Sequence, residues 1–289
     1  MAASSIVPRV HARSVSLPSR AHLLASQLDV CLEKLNASEV TCSSYAMISD
    51  KLHGIIDLHE CVDKLLKLQS TQQIILSKCH KEWVDKVMDG SLRLLDVCGI
   101  AKDVLLQTKE CVQAFQSVLR RKRGHRAEFV AEVSKYVTSR RHVKKIIQRY
   151  LKNLTNQNDS EKDAGNITVA KMFFEAEQAT LKVFESLLSF ISGSSGPPKG
   201  TKWFFVSKLI MPSKPAFGMV DAGEVSDFAT VDAAFHKYTA CEFTYNNAQS
   251  LQYKLADLEL NIQDLEEAIE RIFRHQIKTR VSLLNILSR

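Results

Sequence analysis

Leu251-Gln-Tyr-Lys-Leu-Ala-Asp-Leu-Glu-Leu-Asn-Ile-Gln-Asp-Leu-Glu-Glu-Ala-Ile-Glu-Arg-Ile272 is the stretch that decides the fold. In it Leu251, Leu255, Leu258, Ile262, Leu265, Ile269 and Ile272 alternate spacings of four and three, the seam of a helix that buries one stripe. Beyond Ile272 that register meets Gln276 and Thr279, while Phe273, Ile277, Val281 and Leu284 form a displaced apolar stripe. A pattern that widens this way predicts a helix packed inside a bundle rather than an isolated two-stranded coil. Self-association through the same helix is the alternative, because a heptad does not name its partner.

Working outward, the rest of the chain is as poor in helix breakers. No proline lies between Ser19 and Gly196, and neither proline nor glycine follows Glu224. Those two residues cost about 3 and 1 kcal/mol at an interior helical position, so long uninterrupted helices are expected. Ile48, Leu52, Ile55, His59, Val62 and Leu66 trace one core-facing seam. Trp83, Val87, Leu94, Leu95, Cys98, Leu105, Val112, Phe115 and Leu119 trace a longer one, with Gly90 and Gly99 as points where it bends or breaks. Further helices are expected over 127–154 and 167–191. Ser192-Gly-Ser-Ser-Gly-Pro-Pro-Lys-Gly200 reads as a linker. The expected architecture is all-α: an elongated multi-helix bundle with a long, coiled-coil-like C-terminal heptad helix. Its parts are a flexible N-terminal arm (1–17), a helical bundle (18–191), a Gly/Pro/Ser linker with a short apolar segment (192–223), and a C-terminal helix (224–289) packing back on the bundle.

At 289 residues, with 45% apolar and 25% charged residues, the composition is that of an ordinary globular protein. No apolar run approaches the roughly 20 residues of a spanning helix. Seven single cysteines, an odd number without a CxxC pair, fit reduced thiols in a cytoplasmic protein. The Ser- and Arg-rich, acid-free N-terminus supports a plastid transit peptide as the alternative. Catalytic signatures are missing: no GxGxxG, HExxH or GxSxG occurs, and Gly196-Pro-Pro-Lys-Gly200-Thr-Lys holds P-loop residue types in the wrong order. His59-Glu60-Cys61 and Cys79-His80 lack metal-site spacing, and His59 falls on an apolar seam, where a hydrogen-bonded core histidine is expected. No cofactor, metal or catalytic residue is assigned.

Three features point to contact surfaces. Arg13-Ser14-Val15-Ser16-Leu17-Pro18 fits the R-S-x-S-x-P pattern that 14-3-3 proteins read once Ser16 is phosphorylated, a doubly charged phosphate meeting an arginine cluster. The segment from Leu119 to Lys152 carries twelve Lys/Arg against two acids, while the whole chain is only +7, so the remainder is net acidic. Its basic patch is Arg120, Arg121, Lys122, Arg123, Arg126, Arg140, Arg141, Lys144 and Lys145. It suits a partner protein or an anionic membrane surface; nucleic acid is disfavoured for want of interleaved exposed aromatics. Val143, Ile146, Ile147 and Tyr150 sit among these charges at helical spacing, as on a core helix with a solvated outer face. The third feature, Trp203, Phe204 and Phe205 between lysines, is a membrane or partner candidate.

Arg13-Ser-Val-Ser-Leu-Pro-Ser-Arg20, Asp57-Leu-His-Glu-Cys61, Asp89-Gly-Ser-Leu-Arg-Leu-Leu-Asp-Val-Cys-Gly99, Leu106-Gln-Thr-Lys-Glu-Cys111, Ser117-Val-Leu-Arg-Arg-Lys-Arg123 and Ile277-Lys-Thr-Arg-Val-Ser-Leu-Leu-Asn-Ile-Leu287 together resemble the plant-specific BYPASS-like family. The resemblance covers nearly the whole chain, and none of its motifs is catalytic. It implies a part in plant organ growth, including root and shoot development and root-derived signalling. The expectation is a non-enzymatic developmental regulator or adaptor acting through protein contacts. A peripheral membrane protein docking by its basic face is the first alternative, and an enzyme with a site between helices the second.

Overall fold

The computed structural model describes residues 20–37, 44–77, 81–121, 126–157, 168–193, 226–240 and 245–289. They form α1 (Arg20–Ala37), α2 (Tyr45–Leu66), α3 (Gln69–Leu76), α4 (Lys81–Arg120), α5 (Arg126–Gln157), α6 (Thr168–Ser192), α7 (Asp227–Ala240) and α8 (Tyr245–Leu287), with no strand among the described residues. The expected all-α, elongated bundle is what the chain adopts. At 1.5 Å per residue, α4 and α8 each run about 60 Å.

The heptad seam explains how α8 sits. Leu251, Leu255, Leu258, Ile262, Leu265, Ile269 and Ile272 are all buried, with α4 running alongside, α7 packed on the first part of α8 and α2 beside it from about Asp264 onward. Burying each of these side chains contributes about 1.5–3 kcal/mol, which is why the stripe rather than local propensity orients the helix. The same register continues through Gln276, Thr279, Leu283 and Ile286, also buried. The displaced stripe behaves otherwise than its pattern predicted. Phe273 is partly packed on the core, but Ile277, Val281 and Leu284 are 42–48% exposed and point outward.

α6, the most apolar helix, lies across α2 and α4, so α2, α4, α6 and α8 form the centre. α1 packs on α2 and α6; α5 packs along α4 and meets α7 and the end of α6. One contiguous core draws residues from all eight helices. The stretch 224–289 holds two helices where the sequence reading places one. Phe228, Asp232 and Phe235 turn one face of α7 towards α5 and α6, and α7 also packs back on α8, where Asn261 donates to Asp227 at 2.8 Å. α4 runs unbroken through Gly90 and Gly99, because burial along its length outweighs about 1 kcal/mol per glycine. α6 stops at Gly193, whose φ of 71° is the left-handed C-terminal cap that glycine adopts without steric cost.

Candidate functional site

Two polar tiers interrupt the apolar interior. The first crosses all four central helices where the heptad meets Gln276 and Thr279. His59 Nε2 lies 2.9 Å from Thr180 Oγ1, and that hydroxyl donates to the Ala176 carbonyl at 2.7 Å. The hydroxyl proton is therefore committed, so His59 donates to it from Nε2 and Nδ1 is left as the acceptor, while the Gln276 amide nitrogen lies beside the ring edge, 2.9 Å from Nε2 and 3.1 Å from Nδ1. The imidazole is neutral. Burial first, and the neighbouring His275 second, push its pKa down to about 4, against a smaller upward pull from Asp63.

One helical turn on, the buried Asp63 carboxylate accepts from His275 Nδ1 at 2.9 Å and Lys278 Nζ at 2.7 Å. On the opposite side of the tier, Arg93 of α4 donates to Glu177 Oε1 of α6 from Nε and Nη2, at 3.1 and 2.7 Å. The Glu177 carboxylate fits there because Gly90 has no side chain: a Cβ at that position would overlap it. Arg280 ties α8 to the same part of α4 through the Met88 carbonyl at 2.8 Å and Ser91 Oγ at 3.2 Å. A cavity of about 20 Å³ among His59, Ser91, Glu177, Gln276 and Thr279 has room for a single water molecule.

The second tier is charged. Arg140, 3% exposed, grips Asp232 of α7 with Nε to Oδ1 at 2.9 Å and Nη2 to Oδ2 at 3.1 Å. Its Nη2 also caps α6 through the Ile191 carbonyl at 2.7 Å, and its guanidinium lies 5.3 Å from the Phe228 ring centre. Tyr136 donates to Asp232 Oδ1 at 2.9 Å, and Lys144 Nζ reaches Oδ2 at 2.7 Å. Burial alone raises a carboxyl pKa, yet Arg140 and then Lys144 hold that of Asp232 below its ordinary value. Tyr136, stacked on Phe235 at 3.9 Å, has its pKa pushed well up by burial and by the Asp232 charge.

The structure therefore divides the basic patch. Arg140 leaves it altogether: the side chain is inside, spent on Asp232, and Lys144 follows it half-way. The reason is periodicity, since Tyr136, Arg140, Val143 and Ile147 fall on the buried face of α5. Arg141 and Lys145 point outward, and His142 and Arg149, outside the sequence-assigned patch, share that exposed face. Arg120 is exposed and bonded to Gln116 on its own helix; Arg121 pairs with Glu128 at 3.1 Å. Arg126 opens α5. Lys122 and Arg123, the arm residues Arg13, Ser14, Ser16 and Pro18, and the Trp203, Phe204 and Phe205 cluster lie outside the described residues. His59 is the hydrogen-bonded core histidine its seam position predicts. Among the described residues no three His, Cys, Asp or Glu side chains gather as a metal site, and no helix is long and apolar enough to cross a membrane. Sequence reasoning missed Asp232, Glu177 and the role of Gly90; the one advance signal was the polar pair Gln276 and Thr279 in an otherwise apolar heptad.

A bundle of long helices keyed by buried polar tiers, with a cationic helix on its outside, is the class of protein this geometry defines. The chain belongs to the family described as Protein BPS1, which matches residues 51–286 and so takes in both tiers and α5. This agrees with the BYPASS-like motifs. The comparisons with curated proteins and with solved structures give no match.

Proposed function

We propose that this protein is a non-enzymatic regulator of plant organ development that works as an adaptor, using its helical body as a rigid platform for other proteins. One observation carries the reading: α5 sorts its cations. Arg140 and Lys144 are used inside to fix the helix against α7. Arg141, His142, Lys145 and Arg149 remain on the outward face, and no acidic residue occurs on the chain between Glu132 and Asp159. A helix held so firmly on its inner side presents its outer charges at defined spacing, which suits an acidic protein surface better than a loosely tethered charge run would. Family membership supports the developmental role, through what the BYPASS-like resemblance implies. The arm around Ser16 supplies the switchable half of the mechanism: phosphorylation creates a 14-3-3 docking site in addition to the constant one on α5.

The test is affinity capture from plant tissue with three baits: the intact chain, Ser16→Ala, and Arg141→Glu/Lys145→Glu/Arg149→Glu. The triple reversal is expected to lose a coherent set of acidic partners, more completely at low salt than at high, and Ser16→Ala to lose 14-3-3. Unchanged partner lists from both variants would refute the adaptor mechanism. Recovery of the intact chain on anionic vesicles, lost in the triple variant, would assign the α5 face to a membrane surface instead.

A further inference from the structure

We propose that the protein pairs with a second copy of itself through an outward band shared by α4 and α8. Along most of their length these two antiparallel helices are sealed by polar side chains: Lys109 to Glu266 at 2.6 Å, Lys102 to Glu270 at 2.5 Å, Gln113 to Glu259 at 2.7 Å. On α8, Glu259, Glu266 and Glu270 lie on one face by helical spacing. Past Glu270 that same face turns apolar and continues as Ile277, Val281 and Leu284, 42%, 48% and 48% exposed. Leu92, 43% exposed on α4, stands beside them, since Met88 and Ser91 are bonded to Arg280 across the seam. Exposed leucines scattered singly are ordinary; a contiguous band on two adjoining helices marks a contact surface.

Gly99 is the second observation. It lies on the same outer side of α4, two turns from Leu92, and a Cβ built there meets nothing within 4 Å. Glycine in mid-helix weakens the helix, and no neighbour within the described chain requires its small size. Close approach of a second backbone does.

The occupant is identified by charge. On the far side of the band α4 carries exposed Asp96 and Asp103; on its other side α8 carries exposed Arg271 and Arg274. Because Lys102 faces Glu270 and Met88 faces Arg280, Asp96 stands level with Arg274 and Asp103 level with Arg271. A two-fold axis running parallel to the helices brings α4 of one copy onto α8 of the other at the same level. Asp96 then meets Arg274 of the second copy, Asp103 meets Arg271, and the apolar band of Leu92, Ile277, Val281 and Leu284 closes next to these pairs, one or two turns further along the two helices. The acidic and basic rims are complementary to each other, as a surface must be to pair with itself.

The experiment is sedimentation velocity with light scattering on the full chain over a concentration series. The expected result is a monomer–dimer equilibrium that Ile277→Asp/Leu284→Asp abolishes, with helical circular dichroism and thermal midpoint retained. Asp96→Arg alone and Arg274→Asp alone are each expected to raise the dimer dissociation constant roughly tenfold, by opposing like charges. The double swap Asp96→Arg/Arg274→Asp is expected to restore it, and this arm stands even if the apolar variant fails to fold. A wild-type chain that stays monomeric throughout overturns the proposal and leaves the band to another segment of the chain or a different protein. A dimer indifferent to all of these substitutions, or a double swap no better than the singles, overturns it as well.

Discussion

Some 20 Å apart along α6, the bundle treats the same difficulty in two ways. Around Asp232 the interior holds full charges: a bidentate Arg140, a lysine and a tyrosine hydroxyl converge on one carboxylate. Around His59 the ring is kept neutral and satisfied by Thr180 and Gln276, while the charges nearby, Asp63 and Glu177, each have cationic partners on another helix. A buried charge must be matched by an opposite charge and its lone pairs filled, whereas a buried neutral group needs only hydrogen bonds. The first arrangement is therefore brittle to the loss of a partner, and the second is brittle to a proton.

The largest expected effect comes from breaking the charged tier. Asp232→Ala leaves Arg140 buried and unpaired and strips Tyr136 and Lys144 of their acceptor. It is expected to cost about 3–5 kcal/mol in chemical denaturation, and to release α7 first, as faster amide exchange over 227–240. A loss under about 1 kcal/mol would show that the tier is not a lock. Leucine at both 140 and 232 should recover much of the loss, since an apolar pair removes the uncompensated charge.

Acid sharpens the comparison, because the two tiers fail in different pH windows. The folded-state pKa of His59 lies below its unfolded value of about 6.5. The unfolded chain therefore takes up a proton that the folded chain refuses. The contribution of His59 is fully present above pH 6.5 and is lost as pH falls towards 4, by about 3 kcal/mol in all. The Asp232 tier, with its carboxyl pKa lowered, keeps its contribution across that window and loses it only below the ordinary aspartate range. Denaturation midpoints at pH 7 and pH 5 should therefore differ for the wild-type chain and differ less for His59→Gln. Equal differences would mean that the ring is not held neutral.

Two glycines on one helix give effects of opposite sign. Gly90→Ala drives a methyl into the Glu177 carboxylate, so Glu177 must withdraw from its place beside Arg93. A net loss of about 1–2 kcal/mol is expected. Gly99→Ala meets open space and should stabilise the folded monomer by up to about 1 kcal/mol through helix propensity. Thermal midpoints that move the same way in both would contradict the close fit at Gly90. Smallest of all is Lys109→Ala, which removes a partly exposed pair with Glu266 and should cost under about 1 kcal/mol, vanishing at high salt.

Much of this was legible in advance, and where it was not the reason is physical. The heptad of α8 and the seams of α2 and α4 are local patterns, and each predicts its helix, although the two glycines of α4 read as bends or breaks and the helix runs straight through them. The buried face of α5 was present in the spacing of Tyr136, Arg140, Val143 and Ile147, yet a count of basic residues placed Arg140 on the outside. Periodicity should have outweighed charge there. The displaced stripe of Ile277, Val281 and Leu284 misled in the opposite direction: apolar residues at helical spacing predict burial, but two stripes on one helix cannot both face the same core. Two stripes of α8 compete for neighbours, and the one sharing the register of Leu251 to Ile272 takes them.

The helical character of the chain, the positions of most helices and the candidate core histidine were thus determined by the sequence alone, because helix formation depends on residues three and four apart. The partners were not. Arg140 finds Asp232 ninety-two positions away, His59 finds Thr180 and Gln276 at separations of 121 and 217, and Glu177 fits against α4 only because Gly90 happens to lie opposite. Such pairings carry no local signal, since many acids and bases along the chain are chemically equivalent until packing brings one pair together and excludes water from it. Which cations remain for a partner, and which apolar stripe is left in water, were decided by that packing.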